Sequence, residues 1–230
     1  MSYSMKMPVV DKLTACFWPT LKMALMALIM MILISVPLGI VAAVYQNKWP
    51  DYLVRLLTFF GVSIPNFWLG LIFLSFFGVK LRLVAVSGGN TDFKGLILPA
   101  LTLATAMAAK YTRQVRVTVL EELRQDYVLG ARMRGIKESV ILWRHVLPNA
   151  LLPLVTLVGL SLGSLLGGTA VVEIIYNWPG MGSMAIKAIS CRDYRLVQGY
   201  VLWIALLYMG INLLVDLSYT YLDPRLKEGH

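Results

Sequence analysis

The stretch MALMALIMMILISVPLGIVAAVY, Met23–Tyr45, decides the fold class, because it runs for 23 residues without a charged side chain. An α-helix needs about 20 apolar residues to cross the hydrocarbon core of a bilayer. Soluble domains carry about 25% charged residues, whereas this chain of 230 residues is 58% hydrophobic and only 14% charged. The sequence therefore predicts an all-α, polytopic membrane protein.

Four further stretches have the apolar character of a membrane span. The five predicted spans cover about 17–45, 56–79, 95–115, 150–172 and 196–222. The third span continues without a break into KYTRQVRVTVLEELRQ, which predicts one long helix whose second half leaves the membrane. Pro37, Pro65, Pro99 and Pro153 lie inside spans, where each removes a backbone donor and favours a bend. We expect residues 1–230 to form a single transmembrane domain.

The distribution of lysine and arginine predicts the orientation of the chain. Cytoplasmic loops of membrane proteins are enriched in these two residues. Of the 21 basic residues, twelve lie in 46–55, 110–145 and the C-terminal tail, eight lie on the other side, and Lys22 is near a helix end. This count predicts a cytoplasmic C-terminus. It also accounts for the net charge of +9 without a nucleic-acid partner.

The residue patterns of common catalytic and metal sites are missing from the sequence. Cys16 and Cys191 form no CxxC pair, and the two histidines, His145 and His230, share no ligand spacing. The loops contain no GxxxxGK[ST] phosphate cradle. We therefore expect a chain that is not an enzyme by itself, with no catalytic residue, no metal and no bound cofactor.

Polar side chains inside spans are candidates for a transport pathway, because they are expensive in lipid. Asn66 places an amide at membrane depth within the proline kink SIPNFW. Asp216 lies in the fifth span one turn from Asn212, so the two share a face. The alternatives for Asp216 are a buried hydrogen-bonded pair with Asn212 or an interfacial contact with a basic loop.

The loop EIIYNWPGMG, which begins at Glu173, is a candidate outer gate. Tyr176 and Trp178 have the amphipathic rings that are typical of the membrane interface. The proline and glycines that follow predict a tight turn. The loop either closes the outer mouth of a pathway, contacts a docking partner or is an ordinary structured loop.

Gly159, Gly163 and Gly167 recur every four residues in the fourth span and share one helix face. Small residues let a second helix approach closely in a membrane. The pattern predicts a helix-packing surface, which either packs within this chain or contacts a second membrane subunit.

The stretch DYVLGARMRGIKESVILWRHVLPNALLP, 126–153, concentrates basic residues around Gly135 in an otherwise apolar chain. It resembles the EAA loop of binding-protein-dependent ABC importer permeases, with Ala131, Gly135, Leu147 and Pro148 at matching positions. Leu129, Gly130 and His145 depart from the general motif. The form ARMRG followed by RHVLPNALLP is similar to the peptide and nickel importer subgroup.

Other segments resemble the same subgroup in the same order along the chain. These are SVPLGI, GVSIPNFWLG, ILPALTLA, GGTAVVEIIYNWPGMG, RDYRLVQ and NLLVDLSYTYLDPR. Members of the subgroup usually carry an additional N-terminal span before the region that is matched here. We therefore expect an ABC importer permease fold that is shortened at its N-terminus, either as a truncation or as a natural short form.

The resemblance implies an importer made of several chains in the bacterial cytoplasmic (inner) membrane. Its expected partners are a second permease, two cytoplasmic ABC ATPases that use the ATP, an extracytoplasmic solute-binding protein and the lipid bilayer. The loop at about 124–149 would present a coupling helix near Ala131–Ile136 to an ATPase. Its expected coupling residues are Ala131, Arg132, Arg134, Gly135, Ile136, Leu147 and Pro148.

We expect the small Ala131 and Gly135 to allow close approach and a sharp turn. Arg132, Arg134 and Lys137 would be solvated charges that pair with the partner. Pro148 would either end a helix or reset the chain direction before the fourth span. The expected cargo is nickel, free or chelated, or di- and oligopeptides, with a lean to nickel. The alternative is an ATP-independent channel or a secondary transporter.

Overall fold

The computed structural model describes residues 7–82 and 93–222, apart from the side chains at 152, 168 and 219–222. Every regular element in these residues is helical, so the prediction of an all-α protein is confirmed. The helices are α1 Val9–Val44, α2 Trp49–Ser63, α3 Asn66–Phe73, α4 Phe93–Leu123, α5 Asp126–Met133, α6 Glu138–Val140, α7 Leu147–Gly168, α8 Ala170–Ile175, α9 Met181–Ser190 and α10 Tyr194–Leu222. Two π-helical segments, Leu74–Lys80 and Ile141–Val146, continue α3 and join α6 to α7.

Within the described residues, three helices are long and apolar enough to cross a membrane, and five spans result if each of two bent helix pairs is one span. The three are Val9–Val44, Phe93–Leu123 and Tyr194–Ser218; the pairs are Trp49–Ser63 with Asn66–Lys80 and Glu138–Leu151 with Pro153–Gly167. The polytopic prediction is therefore confirmed. The helix ends differ from the predicted spans, since α1 begins at Val9 instead of 17 and α2 at Trp49 instead of 56.

Prolines lie at the break between α2 and α3 and at the bend in α7, but not every proline inside a span breaks its helix. Pro65 has an extended backbone (φ −64°, ψ 139°) and separates α2 from α3, and Pro153 lies at the bend in α7. Pro99 lies inside α4, which runs unbroken for 31 residues as expected. The first alternative for Pro148, that it ends a helix, is wrong, because the π-helical segment leads directly into α7 and places Pro148 in its first turn. A π-helical segment of this kind can accommodate the irregularity that a proline introduces into a helix. The second alternative, that it resets the chain direction, stays a prediction.

The chain divides into two compact units, and the predicted single domain 1–230 stays a prediction. Unit 1 comprises Met1–Met30, Ile64–Ala104 and Leu160–Leu214. Residues from α1, α9 and α10 form a buried apolar cluster there: Leu13, Cys16, Met181, Met184, Ala188 and Leu196. The ten-residue α9 supplies half of this cluster, so this short helix is part of the core of unit 1.

Unit 2 comprises Met31–Ser63, Thr105–Gly159 and Val215–His230. Its buried apolar cluster is Ala43, Val115, Val119, Val128, Ile141, Val146, Leu147, Ala150 and Leu154. Gly39 is required for this packing, because a Cβ there would lie 2.5 Å from the Val115 Cβ and 2.9 Å from the Thr112 carbonyl oxygen. The absence of a side chain thus lets α1 and α4 approach closely within unit 2.

A buried carboxylate holds the turn between α1 and α2. Asp51 is fully buried, and the Arg116 guanidinium donates to both of its oxygens at 2.7 and 2.9 Å. The Asn47 amide, in left-handed conformation at φ 59°, donates to the same carboxylate at 2.9 Å. Arg55 adds a contact at 3.1 Å from one turn along α2. Because a buried charge needs partners inside the protein, Asp51 fixes this turn to α4.

We expect Asp51→Ala to lower the free energy of unfolding by on the order of 3 kcal/mol, because it leaves the Arg116 charge without its buried partner. The measurement is thermal or denaturant unfolding of the purified protein in detergent. The matched control is Asp126→Ala, which removes an exposed aspartate from the first turn of α5. Equal effects of the two substitutions would contradict the assignment.

Candidate functional site

The loop that resembles the EAA motif contains a helix that ends in a glycine-dependent turn. Helix α5 has its C-cap at Arg134, and Gly135 follows in left-handed conformation at φ 74°. The Gly135 amide donates to the Arg132 carbonyl at 2.9 Å, and the Ile136 amide donates to the Ala131 carbonyl at 3.2 Å. This pair of bonds is the Schellman motif, which favours glycine at its left-handed position.

The expected position of the coupling helix, Ala131–Ile136, is wrong. The helix lies at Asp126–Met133, and the predicted segment straddles its C-terminus. The physical reason is the left-handed backbone at Gly135, which a right-handed helix does not contain. Ala131 and Ile136 are partly buried and pack against the apolar cluster of unit 2. These contacts hold the turn in place.

One basic residue of this loop, Arg132, forms an ion pair within the chain. Arg132 donates through Nε and Nη2 to the two carboxylate oxygens of Glu138, at 2.7 and 3.1 Å, in a side-on pair that crosses the turn. This pairing raises the pKa of the Arg132 guanidinium above its ordinary value. Arg132 is therefore paired within the chain while its side chain stays 42% exposed, and its expected pairing with a partner stays a prediction. Arg134 and Lys137 are exposed, as expected.

The outward side of α5 exposes large apolar side chains. Met133 is 84% exposed and Leu129 is 59% exposed, while Val128 on the opposite side is fully buried in the cluster of unit 2. Trp143 is also exposed and borders an open cavity of about 300 Å³ that the Arg132–Glu138 pair lines as well. Exposed apolar groups held on a fixed element are typical of a protein-docking surface.

The two remaining coupling residues lie at the return to the fourth span. Leu147 is buried in the cluster of unit 2 and Pro148 is exposed in the first turn of α7. Leu147 therefore contributes to the packing of unit 2, and the expected coupling role of Leu147 and Pro148 stays a prediction.

Glu173, the first residue of the candidate gate loop, is fully buried in unit 1. Its carboxylate accepts hydrogen bonds from three donors. The hydroxyls of Thr20 and Thr169 donate to Oε1 at 2.7 and 2.9 Å, and the Ser183 amide donates to Oε2 at 2.7 Å. The Met181 amide donates to the Thr20 hydroxyl at 2.8 Å. Glu173 thus fastens α8, α9 and α1 together, and its predicted role as a gate stays a prediction.

Tyr176 and Trp178 are buried in unit 1, and their expected place at the membrane interface stays a prediction. Trp178 is 3% exposed and its Nε1 donates to the Pro19 carbonyl at 3.0 Å. The Tyr176 hydroxyl lies 2.8 Å from the Thr102 hydroxyl and donates to the Gly70 carbonyl at 3.0 Å. The two rings tie the outer loop into unit 1, and burial is the reason that their polar atoms need these partners.

The other two pathway candidates are exposed. Asn66 is the first residue of α3, immediately after the break at Pro65. Asp216 is exposed on α10, and Asn212, one turn away, is half-buried with its side-chain oxygen lacking a hydrogen-bond partner among the described residues. The predicted role of Asn66 and Asp216 in a pathway stays a prediction.

The glycine stripe of α7 faces α10 of the same chain. In unit 2, a Cβ at Gly159 would collide with Val215. In unit 1, a Cβ at Gly163 would lie 2.7 Å from the Tyr208 ring, and one at Gly167 would lie 3.6 Å from Ile204. This geometry favours the packing of the stripe within the chain over its use as a contact with a second subunit.

Two structurally important residues escaped the sequence reasoning. Thr20 is one of the eleven threonines of the chain, and nothing in its local pattern indicates that it bonds a residue 153 positions away. Arg116 was counted only as a cytoplasmic charge, although its guanidinium binds Asp51. The one available signal was the presence of acids next to spans, since such acids need partners in the protein.

Comparisons with known proteins agree with the residue-level resemblance. Residues 35–228 match the family model described as a binding-protein-dependent transport system inner membrane component. The glutathione transport system permease protein GsiC of Escherichia coli (strain K12) is 36% identical over 220 residues, which cover 96% of this chain and 72% of the relative. The protein of the same name in Pectobacterium atrosepticum is 38% identical over 222 residues, with the same two shares.

Solved structures show a similar fold at low sequence identity. A chain of the MetNI methionine ABC transporter in an inward-facing conformation superposes with a TM-score of 0.77 at 20% identity, over 97% of this chain and 100% of the other. A chain of an amino acid ABC transporter with histidines gives a TM-score of 0.67 at 16% identity, over 94% of each chain. These likenesses support the fold alone.

Two glycines of the loop give opposite predictions. Gly135→Ala should destabilise the turn by about 1–2 kcal/mol, because alanine is strained in the left-handed conformation. Gly130→Ala should stabilise α5 by about 1 kcal/mol, because Gly130 lies inside the helix and a Cβ there meets nothing within 4 Å. Amide hydrogen exchange of residues 129–136 should therefore become faster in the first variant and slower in the second. A shift in the same direction for both would contradict the assigned turn.

Proposed function

Because the chain belongs to the family of binding-protein-dependent transport system inner membrane components, we propose that it forms, with a second permease, the pathway of an ATP-driven importer for short peptides of the glutathione type. The chain is a permease subunit of an ABC importer and a non-catalytic membrane component. The family assignment decides against the ATP-independent channel or secondary transporter that the sequence left open.

The observation that carries the proposal is the surface of α5. Its exposed Leu129 and Met133 stand on a helix that Val128 anchors in the core of unit 2 and that the Gly135 turn terminates. A helix fixed in this way transmits force to the spans behind it, as rocking of rigid elements in a transporter requires. In the proposed complex, this surface binds a cytoplasmic ATPase, and the loop and the C-terminus lie on the cytoplasmic side.

The proposed cargo follows from the relatives, which are named for glutathione, a tripeptide. In unit 2, a cavity of about 200 Å³ is lined by Thr58, Thr105 and Thr112 among apolar and small side chains. The lining of this cavity is mostly apolar and includes no charged side chain, which suits a path that does not bind its cargo tightly. An extracytoplasmic solute-binding protein would deliver the cargo and supply most of the selectivity.

The sequence favours nickel as the cargo, but a short peptide is the cargo that we propose. The relatives named above carry glutathione, not nickel, in their names. Within residues 7–82 and 93–222, no three His, Cys, Asp or Glu side chains are grouped as a metal site. A conduit for a chelated metal does not require such a group, so nickel is included as one arm of the cargo experiment below.

The first experiment tests the ATPase contact. We expect Met133→Asp to weaken retention of the ATPase subunits by roughly thirtyfold, which corresponds to the loss of one interface hot spot. Gly135→Trp should do the same, because it distorts the turn that holds α5. The measurement is the amount of ATPase subunit that co-purifies with the tagged permease in detergent.

The matched control for Met133→Asp is Ile189→Asp, which places the same charge at an exposed apolar position of α9 in unit 1. It should leave the ATPase in place, since α9 is on the outer side in the proposed orientation. If the wild-type chain recruits no ATPase, or if Met133→Asp and Gly135→Trp both retain it fully, the proposed coupling is refuted.

The second experiment identifies the cargo. The permease pair, its ATPases and the cognate binding protein are reconstituted in liposomes, and uptake of glutathione, a dipeptide and nickel is measured with and without ATP. We expect ATP-dependent uptake of glutathione or the dipeptide. Uptake of nickel alone would reject the peptide proposal, and uptake that does not depend on ATP would reject the importer mechanism.

A further inference from the structure

Helix α9 begins without a capping side chain of its own. Its N-cap is Gly180, whose backbone is extended, and the first bond within the helix runs from the Met184 amide to the Gly180 carbonyl at 3.1 Å. The amides of the first turn, including Met181 and Ser183, have no partner within the helix for this reason. Because both residues are buried, their amides need partners from other elements.

Two other helices supply those partners. Thr20 of α1 accepts from the Met181 amide at 2.8 Å, and Glu173 of α8 accepts from the Ser183 amide at 2.7 Å. The Thr20 hydroxyl then donates its own proton to Glu173 at 2.7 Å. All four residues lie in unit 1. We call Thr20 and Glu173 the α9 cap.

The α9 cap also explains how Glu173 is tolerated in the interior. Among the described residues, Glu173 forms no ion pair. Its charge instead faces the N-terminus of α9, which carries a partial positive charge, and accepts hydrogen bonds from two hydroxyls and one amide. Hydrogen bonds to a charged acceptor are among the strong ones in proteins.

Glycine at position 180 is part of the same arrangement. A Cβ at Gly180 would collide with the Glu173 carboxyl group, so a conventional capping serine or aspartate has no room there. The carboxylate occupies the place where the N-cap side chain of α9 would otherwise lie. The cap therefore depends on residues that are 153 positions apart in the chain.

We propose that Thr20 is a positioning residue of the transporter, which together with Glu173 makes the outer loop at 176–180 and α9 move with α1 during each transport cycle. The transport part of this inference rests on the proposed function. Trp178, which donates to the Pro19 carbonyl next to Thr20, strengthens the same connection. Without the Thr20 hydroxyl, ATP is hydrolysed but the outer loop no longer follows α1, so less cargo is moved per ATP.

The test uses the complete importer in lipid nanodiscs and liposomes, with four variants of the permease. Thr20→Val keeps the shape and removes the hydroxyl, Thr20→Cys replaces it with a weak donor and acceptor, and Thr20→Ser retains it. The matched control is Thr14→Val, since Thr14 lies on the same helix, is exposed and donates to the Val10 and Asp11 carbonyls of that helix. The readouts are amide hydrogen exchange at 181–183 and cargo moved per ATP hydrolysed.

We expect Thr20→Val to raise the exchange rate at 181–183 by roughly tenfold, as for the loss of one buried hydrogen bond, and to lower the cargo moved per ATP several-fold. Thr20→Cys should lie between, and Thr20→Ser and Thr14→Val should resemble the wild type. A merely structural defect would lower the amount of active complex but leave the ratio of cargo to ATP unchanged.

Each other result has a defined meaning. Unchanged exchange in Thr20→Val, or an equal change in Thr14→Val, overturns the cap. Faster exchange with an unchanged ratio of cargo to ATP overturns the positioning role. If the wild-type complex shows no ATP-driven uptake, the proposed function is refuted together with the coupling, while the exchange measurement still decides whether Thr20 caps α9.

Discussion

The fully buried carboxylate of Glu173 is the constraint on which unit 1 depends, because a charge removed from water must find its partners within the protein. Its partners come from α1, from the start of α8 and from the first turn of α9. Gly180 has no side chain because the carboxylate occupies that space. A single charge thereby determines the path of the outer loop and the position of the helix that supplies half of the core cluster of unit 1.

Unit 2 contains a second buried carboxylate, which is accommodated in a different way. Asp51 is bound by the guanidinium of Arg116 and by an amide of the turn before α2. Glu173 relies instead on hydroxyls and on the N-terminus of α9. The difference fits their surroundings along the chain, since basic residues are concentrated in segments 46–55 and 110–145, which include Arg55 and Arg116. Both carboxylates hold a connection between helices in place, because their oxygens accept hydrogen bonds from other elements of the chain.

Much of the helical architecture could be predicted from the sequence, because lipid imposes long apolar runs and helices satisfy their own backbone. The motif predicts the turn at Gly135 but places the helix before it too late, since the motif marks the turn and not the helix. Of the two alternatives for Pro148, a helix end is excluded because the preceding π-helical segment continues into α7. The partners of Glu173 were not predictable, because the hydroxyl of Thr20 carries no local signal and the contact joins distant parts of the chain.

The most direct test of this account is a double-mutant cycle between Thr20→Val and Glu173→Gln, with the free energy of unfolding measured in mixed micelles. Residues that share one hydrogen-bond network show interaction energies of about 0.5–3 kcal/mol, whereas independent sites are additive. We predict a coupling of more than about 1 kcal/mol, because each substitution already disrupts the bond that the other removes. Additivity within about 0.3 kcal/mol would contradict the central role of the Glu173 carboxylate.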